Sequence, residues 1–139
     1  MGIRKENKLG TLILSDELIA GIVSSAFTID KINGFVWAST RHGRLIDRRD
    51  VPDAQELAPS IDVKEREDGR LELEFSVIIN FGTSIKRVTK ILADAVRERI
   101  RDRLGLDAGA VIIDIAGVRS KQIAKRNTRI VYEYGNEPG

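Results

Sequence analysis

The stretch VIINFGTSIKRV, residues 77–88, brings an apolar run, Gly82, two hydroxyl residues and a basic helical pattern into direct succession. Strand, glycine, Thr/Ser and helix are also the outline of a phosphate-binding loop. A Walker-type loop needs several glycines and an adjacent Lys-Ser/Thr pair, so that successive backbone N–H groups cradle the phosphate. Here there is one glycine and no such pair. Gly82 is read as backbone freedom between a strand and a helix, with Thr83 or Ser84 as the helix N-cap. Lys86 and Arg87 sit in the first turn, where the helix dipole disfavours cations by about 0.3–1 kcal/mol each. A bound anion would reverse that cost, and extension of the long side chains into water also answers it.

The other reactive residue types form no workable constellation. His42, in RHGR, is the single histidine, so a histidine-based metal cluster within one chain is excluded and the residue reads as a solvated loop position. Asp47, Asp50, Asp53 and Glu56 lie close together but lack the alternate-residue ligands and central glycine of a calcium loop. The interleaved Arg48 and Arg49 suggest local ion pairs instead. Ser24 and Ser25 stand in an apolar helix with no nearby base, which leaves a nucleophile reading without support. The absence of cysteine excludes disulfides, zinc fingers and thiol catalysis. No aromatic RNP pattern and no GxxG loop marks an RNA-binding module. The sequence therefore predicts a non-enzyme with no cofactor and no metal.

The elements that carry these residues follow from periodicity. With 139 residues, 42% hydrophobic and 32% charged, the chain reads as one soluble domain. Lys and Arg number 23 against 21 Asp and Glu, a net charge of +2 that makes nucleic acid an unlikely partner. The charge-free segment 18–29 is well short of the ~18–20 apolar residues a membrane span requires. The N-terminal ten residues lack an apolar signal core. A cytoplasmic protein with no transmembrane segment is expected, with docking on the inner face of the membrane left open.

A short strand at 9–14 leads to a helix capped by Ser15, with Leu18, Ile19, Ile22, Val23, Ala26 and Phe27 on one face. GFVWAS is a second strand, and residues 40–60 read as a loop with at most one helical turn. Asp68-Gly69 marks a tight hairpin. Beyond it Leu71, Leu73, Phe75, Val77, Ile79 and Phe81 alternate with Glu72, Glu74, Ser76, Ile78 and Asn80, so one face of this strand is buried and the other mostly polar. From Thr83 to Leu104 the period becomes helical, and residues 110–118 form a last core strand. The predicted class is an α/β two-layer sandwich, a mixed sheet with two amphipathic helices on one face, in the order β-α-β-β-β-α-β. Residues 1–8 are expected to be flexible, 9–118 to form the domain, and 119–139 to form a basic tail. For that tail three readings stand: an edge strand RIVYEY guarded by its charges, a docking tail for an acidic partner or anionic lipid, and plain disorder.

The pattern resembles the bacterial alkaline shock protein family. GTLILS matches its N-terminal Gly-Xaa-apolar strand, and Gly34-Phe35 the Gly-apolar strand after the first helix. Phe81-Gly82 matches the aromatic-Gly pair ending the long strand, and Gly117-Val118 the closing Gly-Val pair. The match covers about residues 9–118. It implies a non-enzymatic, stress-related protein that is either recruited to the envelope by protein partners, a membrane-anchored one among the candidates, or acts as a self-assembling scaffold, with a homo-oligomer expected. The polar face of the long strand, Glu72, Glu74, Ser76 and Ile78, is then the surface offered to a partner. The second reading is a nucleic-acid or anionic-ligand binder that uses Lys86, Arg87, Lys90, Arg97 and Arg101 on helix 83–104. The basic tail adds Lys125, Arg126 and Arg129 as further contact residues.

Overall fold

A computed structural model describes residues 3–7, 10–47 and 49–135, with the side chains of 15–47 and 49–135. Arg48, Lys8, Leu9 and the terminal Asn-Glu-Pro-Gly therefore lie outside the described residues. The first elements are a hairpin, β1 (Ile3–Asn7) and β2 (Gly10–Leu14), paired antiparallel. The segment expected to be a flexible N-terminus thus holds a strand. Helix α1 (Asp16–Ala26) begins where the Ser15 hydroxyl accepts a 3.1 Å hydrogen bond from the Leu18 N–H, with Asp16 and Glu17 on the positive end of its dipole. Next come β3 (Val36–Ser39), the short α2 (Ala54–Leu57) with a 3-10 turn at Ala58–Ser60, and β4 (Asp62–Glu65). The chain continues through β5 (Leu71–Asn80), α3 (Ile85–Leu104), β6 (Ala108–Arg119) and β7 (Ile123–Glu133).

Five of these strands make one sheet. β3 and β4 share the same edge of β5 end to end, both antiparallel: Val36↔Ile79 to Ser39↔Ser76, then Asp62↔Glu74 to Glu65↔Leu71. On its other side β5 pairs parallel with β6, and β6 pairs antiparallel with β7. The parallel pair requires a crossover, which α3 supplies. Gly69, at φ +85°, closes the β4–β5 hairpin by donating 2.9 Å to the Arg66 carbonyl, and the Asp68 carboxylate accepts from the Arg70 N–H at 3.0 Å. The sequence expectation of a β-α-β-β-β-α-β order is corrected at both ends, by β1 before and β7 after. The mid-chain loop also holds a helical turn and bridges back onto β3 at Ser39↔Leu45.

The core follows the two periodicities. Leu71, Leu73, Phe75, Val77 and Ile79 of β5 join Val111, Ile113 and Ile115 of β6 in one cluster with Ile19, Ile22 and Val23 of α1 and Leu92, Val96 and Ile100 of α3. Most of these side chains are fully buried, and each such burial is worth about 1.5–3 kcal/mol relative to exposure. On α3 the polar Thr89 is also buried, satisfied by donating 2.7 Å to the Ile85 carbonyl. Gly82 has φ +83° with open space around it, and the Ser84 hydroxyl accepts from the Arg87 N–H at 3.4 Å. The glycine is thus the turn that converts β5 into α3.

Candidate functional site

The even-numbered residues of β5 project away from α1 and α3. Cross-strand pairing places Glu74 beside Asp62 of β4 and Ile112 of β6, and Ser76 beside Asp114, which in turn faces Arg129 of β7. A turn at 40–44, closed by the Thr40 N–H donating 2.8 Å to the Arg44 carbonyl, rises at one side. The β6–β7 hairpin rises at the other. Between them lies a cleft of about 850 Å³.

The cleft is charged. Arg41, Lys64, Lys125, Arg126 and Arg129 line it against Asp62, Glu74 and Asp114, with His42 at its wall. Arg129 grips Glu74 with both terminal nitrogens, at 3.1 and 3.4 Å, and Arg41 holds Asp62 at 2.6 Å. The Glu74 carboxyl is raised above its ordinary value, first by a hydrogen bond shared with the Asp114 carboxyl, then by burial and by the Asp114 charge. Arg129 and Arg41 pull the other way and do not win. Glu74 therefore holds its proton more tightly for having the Asp114 carboxyl beside it, among guanidinium and ammonium groups. Chemically the cleft presents cationic forks beside a pair of carboxyl groups, and the cations suit carboxylate or phosphate groups on a partner.

The residues singled out in the sequence are distributed unevenly around this site. Glu74, Lys125, Arg126 and Arg129 meet in the cleft. Glu72 does not: Arg66 reaches over β6 to bond both Glu72 at 3.1 Å and Glu133 of β7 at 2.8 Å. Ser76 and Ile78 are not available to a partner, which corrects the reading of the strand's whole polar face as open. Ser76 is buried between Ser39 and Asp114, and Ile78 between Trp37 and Gly117. On α3, Lys90 pairs with Asp94 at 3.0 Å, Arg101 with Asp107 at 3.3 Å, and the Arg97 guanidinium stacks 4.4 Å from the Tyr134 ring. Lys86 and Arg87 are exposed in the first turn. This basic helix face is largely engaged within the molecule. In the mid-chain loop, the Asp47 carboxylate is held well below its usual range, chiefly by the Arg49 side chain and N–H, and it also accepts from the Asp53 N–H. The Ser24 hydroxyl donates to the Pro52 carbonyl, a role in fastening the loop to α1.

Sequence reasoning missed Asp114, Arg41 and Asp62 and set His42 aside. One signal was legible for Asp114, a lone carboxylate inside the apolar run AVIIDIAGV. Among the described residues, no group of three His, Asp or Glu side chains is arranged to hold a metal ion, and no helix is long and apolar enough to cross a membrane.

No curated protein and no solved structure matches the chain. The alkaline shock protein family, with its cell envelope-related function, matches residues 4–120, from β1 through the end of β6. That span is most of the chain and contains every strand of the sheet except β7, so the protein belongs to the alkaline shock protein family.

Proposed function

We propose that this envelope-related protein is a non-enzymatic interaction module that works at the cytoplasmic side of the membrane. It gathers a protein partner, a membrane-anchored one among the candidates, and further copies of itself. The family's cell envelope-related function supports the setting, and the family is not a known enzyme family. One observation carries the reading of the site: cations from two distant segments, Arg41 on the 40–44 turn and Lys125, Arg126 and Arg129 on β7, converge on one cleft. Five bases against three acids leave this cleft net positive, which favours an acidic segment of the partner and steers its approach. The core that α1 and α3 share with β5 and β6 supports the strands that carry these residues.

The test is crosslinking and quantitative co-purification from the native cell, comparing wild type with K125E/R126E. Both side chains are exposed, so the double variant should melt as wild type does. The expected result is a reproducible partner recovered at least tenfold less with the variant. A strictly monomeric protein with no partner, or a partner set unchanged by the variant, would overturn the proposal.

A further inference from the structure

The end of the sheet where β5 runs out gathers apolar side chains that nothing in the fold covers. Five large apolar residues are exposed among the described ones, and three of them lie here: Phe81 at 73%, Phe35 at 43% and Ile123 at 37%. The other two, Leu18 and Val131, belong to the first turn of α1 and the far half of β7. Their convergence is fixed by backbone pairing. The Asn80 N–H donates 2.8 Å to the Phe35 carbonyl, the Phe81 N–H donates 2.8 Å to the Arg119 carbonyl, and Arg119 faces Ile123 across the β6–β7 pair. The three loops of this rim also carry Lys31, Arg119 and Lys121 against a single acid, Asp30. Arg119 lies 4.6 Å over the Trp37 ring, which fixes one cation beside the apolar residues.

Aromatic side chains next to cations are the chemistry of a bilayer interface, where rings sink to the headgroup level and Lys and Arg meet anionic lipid. We propose that this rim, Phe35 and Phe81 flanked by Lys31, Arg119 and Lys121, docks directly on an anionic phospholipid surface. The cations complement the lipid charge, and the exposed rings supply the apolar contact that charge alone lacks. One weak signal gives only marginal binding, and stable membrane attachment takes two acting together. The inference is independent of the cleft, since it needs lipid and no protein partner.

Flotation of the purified full chain with phosphatidylcholine vesicles containing a third phosphatidylglycerol tests it, with pure phosphatidylcholine as control. Wild type should float with the anionic vesicles at low salt, release as salt rises, and stay behind with the neutral ones. F35S/F81S, both at exposed positions, should melt as wild type does and lose flotation. K31Q/K121Q should weaken partitioning by roughly fivefold for each basic residue removed. No flotation of the wild type, or flotation that survives both double variants, would overturn the proposal. So would a dimer in light scattering that F35S/F81S abolishes while vesicles remain unbound, because the occupant of the rim would then be a second copy of the chain.

Discussion

Replacing Gly117 by alanine should destabilise the protein by about 2 kcal/mol, within the range for forcing extra volume into a packed site. β6 bulges here, between Ile115 and Gly117, and β7 crosses close to it. A Cβ on Gly117 would stand 2.8 Å from the Ile123 Cγ2, 3.2 Å from the Ala124 carbonyl oxygen and 3.4 Å from the Ile78 Cγ1. The first of these neighbours is the end of a half-exposed side chain and can swing away. The second is backbone of the paired strand and can retreat only by loosening the β6–β7 register. The expected loss corresponds to a melting temperature lower by roughly 6–8 °C. Urea unfolding followed by circular dichroism measures it. I123A alone should cost less than about 1 kcal/mol, and in the G117A/I123A double variant about half of the G117A loss should return, a coupling read from the double-mutant cycle. G117A as stable as wild type, or strict additivity of the two changes, would refute the close-approach argument.

Three further outcomes follow from the same geometry. For D114N, the raised Glu74 value means that the folded state holds a proton the unfolded chain releases, so wild-type stability falls as pH rises through the folded value of Glu74. D114N removes the like charge and should be more stable than wild type at pH 8, with the advantage shrinking toward pH 4; a pH-independent difference would contradict the shared proton. Asp47 is the opposite case: its lowered value gives stability that is present above the ordinary aspartate value and lost as pH falls. D47N should therefore flatten the acid limb of the stability profile, and parallel limbs for the two proteins would argue against that role. For Tyr134, whose hydroxyl donates 2.8 Å to Asp94 while Arg97 stacks on its ring, Y134F should lose about 1 kcal/mol. Y134L should lose about 0.5–1 kcal/mol more with the stacked ring. Equal stabilities of the two variants in urea would show that the stacking contributes nothing.

Local chemistry was legible where local rules decide structure. Ser15 and Ser84 cap their helices, Gly69 makes the hairpin turn, and the alternation from Leu71 to Ile79 sets the buried face of β5. The assembly of the cleft was not legible. Glu74 and Asp114 are forty residues apart, and only the parallel register across the α3 crossover brings them together. No periodicity in either strand encodes that register. The burial of Ser76 and Ile78 was hidden for a related reason: it depends on Ser39 and Trp37 of β3 lying beside them. β7 stood among three readings because its second half is apolar while its first half, Lys125 to Arg129, is polar and mostly charged. What decides for a strand is tertiary: Ile130, Tyr132 and Tyr134 pack against the core, and the Tyr132 hydroxyl lies 2.7 Å from the Thr89 hydroxyl.

The parallel pairing of β5 with β6 also fixes the order in which the chain can complete itself during synthesis. When Asn80 leaves the ribosome, β5 can already pair with β3 and β4 on one side. Its other side has no partner until residues 108–119 have been made. At about 5–20 residues per second, the roughly forty residues in between take some 2–8 s. Throughout that interval a strand carrying Leu71, Leu73, Phe75, Val77 and Ile79 presents an unpaired edge. The nascent chain is then at its most vulnerable to mispairing, and holdase binding would matter most. Once β6 docks, β7 closes the sheet as a hairpin with no further crossover.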